Sequence, residues 1–344
     1  MRLADSRFLK ACRREAVDRT PIWLMRQAGR YMPEYRALRE KHTLLTLCKT
    51  PELAAHVTLQ PIQRFHFDAA IIFADILLPI EPLGLKLEFA KGEGPVIHNP
   101  VSNDKDVDAL QVFDPKEKLS FVADAIQIVT RELNDTPLIG FAGAPFTLAS
   151  YMIEGGYSRH FLKTRKIMLS HQESWKKLME KLAGITAAYL QMQVEAGASA
   201  VQLFDSWVGV LSPEDYRNFV LPYSQKILQS IKVPTIHFST GTSGYLNLIA
   251  EAGGDVISVD WRIELDRAWN SFPDRAIQGN LDPSILLGPW SEVQNATRKI
   301  LSRAAGKPGH VFNLGHGILP ETPVENVEKL VELVSLAPNQ HFKT

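Results

Sequence analysis

The chain has 344 residues, 45% of them apolar, which is enough to build one large hydrophobic core or two ordinary ones. Its 38 basic and 38 acidic residues cancel, so it lacks the overall field that holds proteins on nucleic acid or anionic lipid. Two cysteines, Cys12 and Cys48, are too few for a disulfide framework or a structural zinc site. We therefore expect a globular protein of a reducing compartment, without nucleic-acid or membrane partners, whose anion sites are local.

The chain contains no recognisable targeting or membrane segment. Its first residues are charged from the second position and include no apolar core of a signal peptide. The longest apolar stretch, AAIIFADILLPI at residues 69–80, is interrupted by Asp75 and Pro79 and is far shorter than the roughly 20 residues that cross a bilayer. A cytoplasmic location is expected.

Eight short apolar segments, distributed along the whole chain, predict β-strands. In chain order they are PIWLMRQ from 21, AAIIFAD from 69, PLIGFAG from 137, AVQLFD from 200, PTIHFST from 234, DVISVDW from 255, AIQGNLD from 276 and HVFNLGH from 310. None alternates cleanly between apolar and polar residues. Continuous apolar runs indicate strands covered on both faces, as in a parallel sheet whose crossovers are helices.

The segments between these strands carry helix signals. Four pairs combine an N-cap residue with a proline suited to the first helical turn: Thr50–Pro51, Ser212–Pro213, Asp282–Pro283 and Thr322–Pro323. Residues 170–196 have the apolar spacing of a helix, and Gly197 follows as its stop signal. Eight strands that alternate with helices predict a (β/α)8 TIM barrel.

The spacing of the strands favours one domain with insertions. The last four strands start 21 to 34 residues apart, as compact βα units do, whereas the extra length follows strands two and three. Residues 83–101 read as a hairpin insertion that turns at Gly92 to Gly94. Because the chain has neither repeat nor linker, we expect a single domain over residues 1–344. A doubly wound open sheet is the alternative fold.

In a barrel of this kind, the C-terminal ends of the strands build the active site. The candidate residues are therefore those at the predicted strand ends. They are Arg26, Gln27, Arg30, Asp75, the segment GAPFTLASY that ends at Tyr151, Asp205, Ser206, Ser239, Thr240, Asp260, Trp261, Asn280, Asp282 and His316.

Arg26 and Arg30 follow the first strand and flank Gly29. The next acidic residue after them along the chain is Glu34. A structural ion pair with a neighbouring loop is the ordinary role of such arginines. The close backbone approach that glycine allows, and the absence of a local acid, favour recognition of a carboxylate or phosphate by the planar guanidinium groups. The glycine-containing segments GEGP at 92–95 and GTSG at 241–244 lack a phosphate-loop lysine, so no phosphate motif supports a nucleotide.

Asp75 ends the most apolar strand, where burial would strengthen its carboxylate as an acceptor or raise its pKa. An N-cap or a salt bridge is the alternative. His316 lies between two glycines at the end of the last strand, where a structural histidine is the alternative to a ligand contact. Tyr151 and Ser206 are weaker candidates, because hydroxyls at strand ends often cap the next helix.

Five segments together resemble the uroporphyrinogen decarboxylase family over nearly the whole chain. They are PIWLMRQAGRYMPEYR, FADILLPIEPLG, GFAGAPFTLASYMIEGG, QLFDSWVG and NLGHGILP. The resemblance implies a single barrel that acts as a homodimer, removes the four acetate carboxylates of uroporphyrinogen III as CO2 and uses no cofactor. It implies that Arg26 and Arg30 face substrate carboxylates and that Asp75 accepts the pyrrole N–H groups.

The same resemblance places Tyr151, Ser206 and His316 among the carboxylate-binding and polar pocket residues, with Phe204 and Gln27 beside them. The substrate supplies its own electron sink, because a pyrrole protonated at the adjacent ring carbon accepts the electrons that departing CO2 leaves behind. A carboxylate in an apolar pocket would stabilise that cation.

Zinc-dependent methyltransferases of the same barrel superfamily are the alternative. They carry a His-x-Cys motif and a further cysteine, which are the soft ligands that zinc prefers. At the corresponding place this chain has His237 and Ser239, and neither of its cysteines lies near a late strand end. We therefore expect no metal site.

Overall fold

A computed structural model of the protein describes residues 3–90 and 94–337. The β-strands in this part of the chain are β1 (Ala70–Ile71), β2 (Leu87–Ala90), β3 (Gly94–Ile97), β4 (Leu138–Gly143), β5 (Ala200–Asp205), β6 (Thr235–Ser239), β7 (Val256–Ser258), β8 (Ala276–Leu281) and β9 (His310–Leu314).

The α-helices of the same ranges are α1 (Arg7–Cys12), α2 (Pro33–Lys41), α3 (Leu44–Lys49), α4 (Pro51–Phe65), α5 (Asp104–Ala109), α6 (Pro115–Lys118), α7 (Ser120–Glu132), α8 (Pro145–Glu154), α9 (Leu162–Ser170), α10 (Gln172–Ala196), α11 (Pro213–Phe219), α12 (Leu221–Ser230), α13 (Leu246–Ala252), α14 (Leu265–Trp269), α15 (Trp290–Ala304) and α16 (Val324–Leu336). Short 3₁₀ helices lie at Leu3–Asp5, Leu78–Ile80, Val208–Val210 and Pro283–Leu287.

Seven of the described strands form one parallel sheet in the order β1–β4–β5–β6–β7–β8–β9. They coincide with the predicted strands that begin at residues 69 to 310. The order follows the chain and never reverses direction, whereas a doubly wound sheet contains a reversal point. The doubly wound alternative is therefore wrong, and the protein has an α/β fold with a curled parallel sheet.

The first predicted strand does not form a regular strand, which corrects the sequence interpretation. Ile22 makes a single parallel bridge with Phe312 of β9. Beyond it, side chains take the place of the ladder: the Asp68 carboxylate accepts the N–H of Ile22 at 2.9 Å, and the Asn313 side chain accepts the N–H of Met25 at 3.0 Å. The segment thus lies beside β9, where the N–H of Trp23 donates to the Phe312 carbonyl at 3.4 Å, but the N–H groups of Ile22 and Met25 are bound by side chains.

A buried polar network crosses the concave side of the sheet. The indole N–H of Trp23 donates to Gln278 Oε1 at 2.9 Å, and the Gln278 amide donates to Gln202 Oε1 at 3.0 Å and to Ser258 Oγ at 2.9 Å. All four side chains are fully buried. Because a buried amide is costly without partners, this network requires the segment around residue 23 to meet β5, β7 and β8 face to face, which fits the curl of the sheet.

Helices cover the other face of the sheet. Helix α10 runs for 25 residues and packs on β4, where the Gln193 side chain accepts the N–H of Phe141 at 2.8 Å and donates to its carbonyl at 2.9 Å. It ends at Gly197, as predicted. Helix α11 begins at Pro213 with Ser212 as its cap, also as predicted, whereas α16 begins at Val324, one residue after the predicted position.

The insertion at residues 83–101 contains β2 and β3, which pair antiparallel with Leu87 opposite Ile97. Gly92, in the predicted turn, lies outside the described residues. Among the helices of the described ranges, none has the length and apolar character that crossing a bilayer requires.

Candidate active site

The segment before Arg26 ends in a tight turn at the carboxyl edge of the sheet. Arg26 has a φ of 61°, in the left-handed region that costs a non-glycine residue about 1–2 kcal/mol. The turn is held by Gln27, which is fully buried: its Oε1 accepts the N–H of Leu24 at 3.3 Å, and its amide donates to the carbonyl of Ala69 at 3.2 Å. Gln27 therefore supports the turn that presents Arg26.

The side chains of Arg26 and Arg30 are exposed and available to a ligand. Neither guanidinium forms an ion pair or a hydrogen bond with any residue in 3–90 or 94–337. The stem of Arg26 lies against Gly317, where an added Cβ would stand 2.5 Å from Arg26 Cδ. The structural alternative for these arginines thus has no ion pair to support it in the described chain, and Gly317 provides the space that the Arg26 side chain occupies.

Asp75 lies in the loop after β1, half-buried at the same edge. Its Oδ1 accepts the N–H of Leu77 at 2.8 Å, while Oδ2 has no hydrogen-bond partner among the described residues. Burial raises the pKa of this carboxyl, and the Leu77 N–H and the charge of Arg26 oppose the rise. One oxygen therefore stabilises the loop, as the capping alternative expected, and the other is free to accept a hydrogen bond from a ligand.

Tyr151 projects from α8, which begins directly after β4. Burial and, after it, the negative charge of Asp75 raise the pKa of its phenol to about 12, while the positive charge of Arg26 opposes the rise. The phenol is therefore a neutral donor at physiological pH. Since both charges act on Tyr151, the structure brings Arg26, Asp75 and Tyr151 into one electrostatic environment.

His316 joins the same group from the end of β9. Its Nδ1 accepts the N–H of Gly317 at 2.8 Å, so the proton of the neutral ring is on Nε2 and can be donated. Burial, together with the positive charges of Arg26 and Arg262, lowers its pKa to about 4, while the negative charge of Asp260 opposes the lowering. His316 is therefore an uncharged donor at neutral pH.

Aromatic rings form an apolar wall beside these groups. The ring of Phe204 in β5 lies 5.3 Å from that of Phe238, which lies 5.8 Å from the His316 ring. Ser206 follows two residues after Phe204; its carbonyl accepts the Thr240 hydroxyl at 2.7 Å, and its own hydroxyl has no partner in the described structure. Ser206 thus lies at the strand end, as the sequence predicted, and Phe204 lies in the aromatic wall beside it.

Other predicted strand-end residues are engaged in structural contacts. Asp205 is fully buried and faces the helices, where it accepts the hydroxyls of Thr147 and Ser224, both at 3.4 Å. Ser239 and Thr242 share a hydrogen bond of 2.7 Å. These side chains lie on the helix side of the sheet and not with the group around Asp75.

The last strand ends show the same pattern. Asp260 accepts the N–H of Gly241 at 2.7 Å and pairs with Arg262 at 2.5 Å. The Asn280 amide donates to the carbonyl of Asp260 at 2.9 Å, and Asp282 caps the 3₁₀ helix that follows it. Trp261 stacks under the Arg262 guanidinium, 4.5 Å from the ring centre. Of these residues, Asp260 and Arg262 act on His316 through their charges.

Sequence reasoning missed Trp207 and Gly317. The Trp207 ring is packed against Tyr151, Tyr157 and Phe161, with centroid separations of 5.9, 5.6 and 5.3 Å. Its position two residues after Asp205, at a strand end, was a signal that could have identified it.

The described residues contain no group of three or more His, Cys, Asp and Glu side chains able to hold a metal ion. His237 is fully buried, and its Nδ1 lies 3.2 Å from the carbonyl of Ile249 in α13. The position that carries a zinc ligand in the alternative superfamily members is thus occupied here by a side chain packed against the helices.

Within the described chain, the assembled group combines the unpaired cation of Arg26, the carboxylate of Asp75 and two neutral donors. Arg30 lies near this group, because its charge and that of Asp75 both act on Tyr35. The cations can bind carboxylates of a polyanion, while the free oxygen of Asp75 can accept N–H groups or stabilise a cation that develops beside it. The neutral His316 and Tyr151 can add hydrogen bonds without adding charge.

Comparison with known proteins agrees with this chemistry. The family model described as "Uroporphyrinogen decarboxylase (URO-D)" matches residues 3–336. A protein named uroporphyrinogen decarboxylase from Chloroflexus aurantiacus is 56% identical over 340 residues, covering 96% of each chain. One of the same name from Solibacter usitatus is 56% identical over 341 residues, covering 97% of this chain and 99% of the relative.

Among solved structures, a methyltransferase from Methanosarcina mazei has a TM-score of 0.82 at 20% identity, covering 97% of this chain and 99% of that one. At that identity the similarity concerns the fold alone.

Proposed function

Because the chain belongs to the uroporphyrinogen decarboxylase family, we propose that its reaction takes place at the edge formed by Arg26, Arg30, Asp75, Tyr151 and His316. The enzyme is a carboxy-lyase of tetrapyrrole biosynthesis, which removes the four acetate carboxylates of uroporphyrinogen III as CO2 and yields coproporphyrinogen III. The observation that carries the proposal is the Asp75 carboxylate, half-buried with one free oxygen and subject to the charge of an arginine that has no ion pair in the described chain.

The substrate carries eight carboxylates around a ring of four pyrrole N–H groups. Arg26 and Arg30 are suited to the carboxylates, because neither is neutralised by an acid of the described chain. A planar guanidinium binds a carboxylate with two parallel hydrogen bonds, which fixes its orientation as well as its position. In this proposal the two arginines hold acidic side arms at the rim while the ring enters the edge.

Asp75 has a different role from the arginines. Its free oxygen accepts pyrrole N–H groups in the ground state. When the ring is protonated at carbon, the same oxygen faces a full positive charge in a poorly solvated place. The interaction is therefore stronger in the transition state than in the bound substrate, which is the condition for accelerating the chemical step.

The neutral groups complete the pocket. The Nε2–H of His316 and the phenol O–H of Tyr151 can each donate a hydrogen bond to a carboxylate, and both groups remain uncharged. The free hydroxyl of Ser206 adds a further donor, and Phe204 contributes an apolar face for a pyrrole ring. Gln27 contributes by holding the turn of Arg26.

We further propose that the chain is a single (β/α)8 barrel domain. In it, the segment from residue 21, the first in chain order, completes the seven-stranded sheet to a ring of eight strands. Its bridge to Phe312 on one side, and the hydrogen bond from the N–H of Asp68 to the carbonyl of Ile22 on the other, support this closure. A cytoplasmic homodimer is proposed from the family resemblance. The exposed Tyr157 and Leu162, at 65% and 66% exposure, are candidates for its interface.

The reaction is tested by incubating the purified protein with uroporphyrinogen III under anaerobic conditions and separating the products by carboxylate number. We expect intermediates with seven, six and five carboxylates, and coproporphyrinogen III as the end product. Unchanged substrate would contradict the proposal. We also expect activity to persist after exhaustive chelation and dialysis, because the pyrrole supplies the electron sink; activity lost on chelation and restored by a metal would overturn cofactor independence.

A further inference from the structure

We propose that Trp207 is a positioning residue that sets the direction of the Tyr151 hydroxyl. When substrate binds, the indole N–H, which has no acceptor among the described residues, donates to the phenol oxygen and thereby turns the phenol proton towards the substrate. The inference rests on the proposed role of Tyr151 in the site.

The position of Trp207 singles it out. It follows β5 directly after Ser206, and its ring is enclosed by three aromatic rings, of which that of Tyr151 lies 5.9 Å away at an interplanar angle of 63°. The neighbours on its other sides, Tyr157 and Phe161, lie 5.6 and 5.3 Å away. Trp207 is therefore the bridge between Tyr151 inside the site and the rim of the site.

The indole N–H of Trp207 lacks an acceptor in the described chain. Its Nε1 atom is buried and has no hydrogen-bond partner among residues 3–90 and 94–337. A buried donor without a partner costs about 1–3 kcal/mol. A hydrogen bond to a nearby oxygen that forms when substrate binds removes this cost and so stabilises the complex. Other large side chains could fill the aromatic enclosure equally well, but they would not bring this donor.

The Tyr151 oxygen is the acceptor that the surroundings favour. The indole of Trp207 lowers the pKa of Tyr151, the direction expected for an N–H that faces the phenol oxygen. The effects of Asp75 and Arg26 reach the same phenol. Tyr151 is thus close enough to interact both with the indole of Trp207 and with the charged groups of the site.

The chemistry of the two groups sets the direction. An indole N–H can only donate, so an oxygen bonded to it must use a lone pair for that bond. The phenol has a single proton, which then points away from Trp207 and can be donated to a substrate carboxylate. Without the indole N–H, the phenol O–H can rotate to either side. It then points towards a substrate carboxylate for only part of the time.

A double-mutant cycle tests this coupling. Trp207→Phe keeps an aromatic ring and removes the N–H; site-specific replacement of Trp207 by 3-benzothienylalanine keeps the full ring shape and replaces N–H by sulfur. Either change should lower kcat/KM by about tenfold when Tyr151 is present. In the Tyr151→Phe background, the same change should have an effect below about twofold, because the hydroxyl it acts on is gone.

Four results would overturn the inference. If Trp207→Phe and the benzothienyl variant lower kcat/KM by the same factor with and without the Tyr151 hydroxyl, Trp207 acts through packing. If the benzothienyl variant keeps parental kinetics, the N–H has no role. If Tyr151→Phe alone is unchanged, the proposed site role of Tyr151 fails as well, which separates the two failures. Tyr157→Phe is the matched control: it removes the neighbouring hydroxyl and should leave kcat/KM unchanged, whereas a tenfold loss would make Tyr157 the acceptor instead.

Discussion

Replacing Asp75 by asparagine separates the charge of this side chain from its structural contact. The side-chain oxygen of the new amide can still accept the N–H of Leu77, so the loop after β1 keeps its hydrogen bond. The substitution removes the negative charge and introduces an N–H donor that opposes the pyrrole donors. We expect binding to weaken moderately and turnover to fall strongly.

The size of the loss follows from the charge interaction. Two unit charges about 4 Å apart interact with about 4 kcal/mol at an effective dielectric constant of about 20. The ring carries this charge only after protonation, so most of the interaction acts on the barrier. Because 1.36 kcal/mol corresponds to a factor of ten in rate, and the amide dipole retains part of the interaction, kcat should fall about 100- to 1,000-fold.

The stability of the same variant should change in the opposite direction. Burial raises the pKa of Asp75 above its value in the unfolded chain, so the folded state disfavours the carboxylate at neutral pH. This cost is absent below the unfolded pKa and develops as the pH rises through the folded pKa. Asparagine removes it, so Asp75→Asn should melt at or above the parental temperature at pH 7.

The assay is anaerobic turnover at saturating uroporphyrinogen, combined with thermal unfolding and with binding of coproporphyrinogen. Asp205→Asn is the matched control, since burial also raises the pKa of Asp205 but its carboxylate faces the helices. This control should retain near-parental turnover. If Asp75→Asn turns over at close to the parental rate, the charge does not stabilise the transition state and Asp75 has only a positioning role.

Arg26→Met and Arg30→Met keep the side-chain stems and remove the charges. Each variant should lower kcat/KM about ten- to a hundredfold and leave the melting temperature unchanged. A variant that unfolds would instead identify its arginine as structural. Gly317→Ala should lower kcat/KM by displacing Arg26, since the new Cβ would lie 2.5 Å from Arg26 Cδ, and it should add little to Arg26→Met; equal losses in both backgrounds would contradict this route. Burial lowers the pKa of His310 to about 4, below its unfolded value, so its contribution to stability is complete above pH 6.5 and is lost as the pH falls towards 4. Relative to the parent, the free energy of unfolding of His310→Gln should therefore increase by up to about 3 kcal/mol as the pH falls over this range. Urea titration at each pH measures this difference. A difference that stays constant with pH would refute the lowered pKa.

Much of the fold was determined by local sequence patterns. Continuous apolar runs bounded by glycine, proline and polar residues predicted the seven strands of the parallel sheet, since such runs suit strands covered on both faces. Gly197 and Ser212 marked helix ends and starts because their backbone and side-chain preferences act within a few residues. The family motifs likewise depend only on residue order, so the sequence by itself was sufficient for the family resemblance.

Only the tertiary structure decided which side of each strand meets the site. A strand that is apolar on both faces carries no signal for this choice. Asp205 was therefore a strand-end candidate although it faces the helices, while its neighbour Phe204 lies in the aromatic wall. The irregular backbone of the first predicted strand was likewise decided by the tertiary structure, through contacts with residues distant in sequence. Asp68 and Asn313 accept two of its backbone N–H groups from far along the chain, and no local pattern indicates a partner that is distant in sequence.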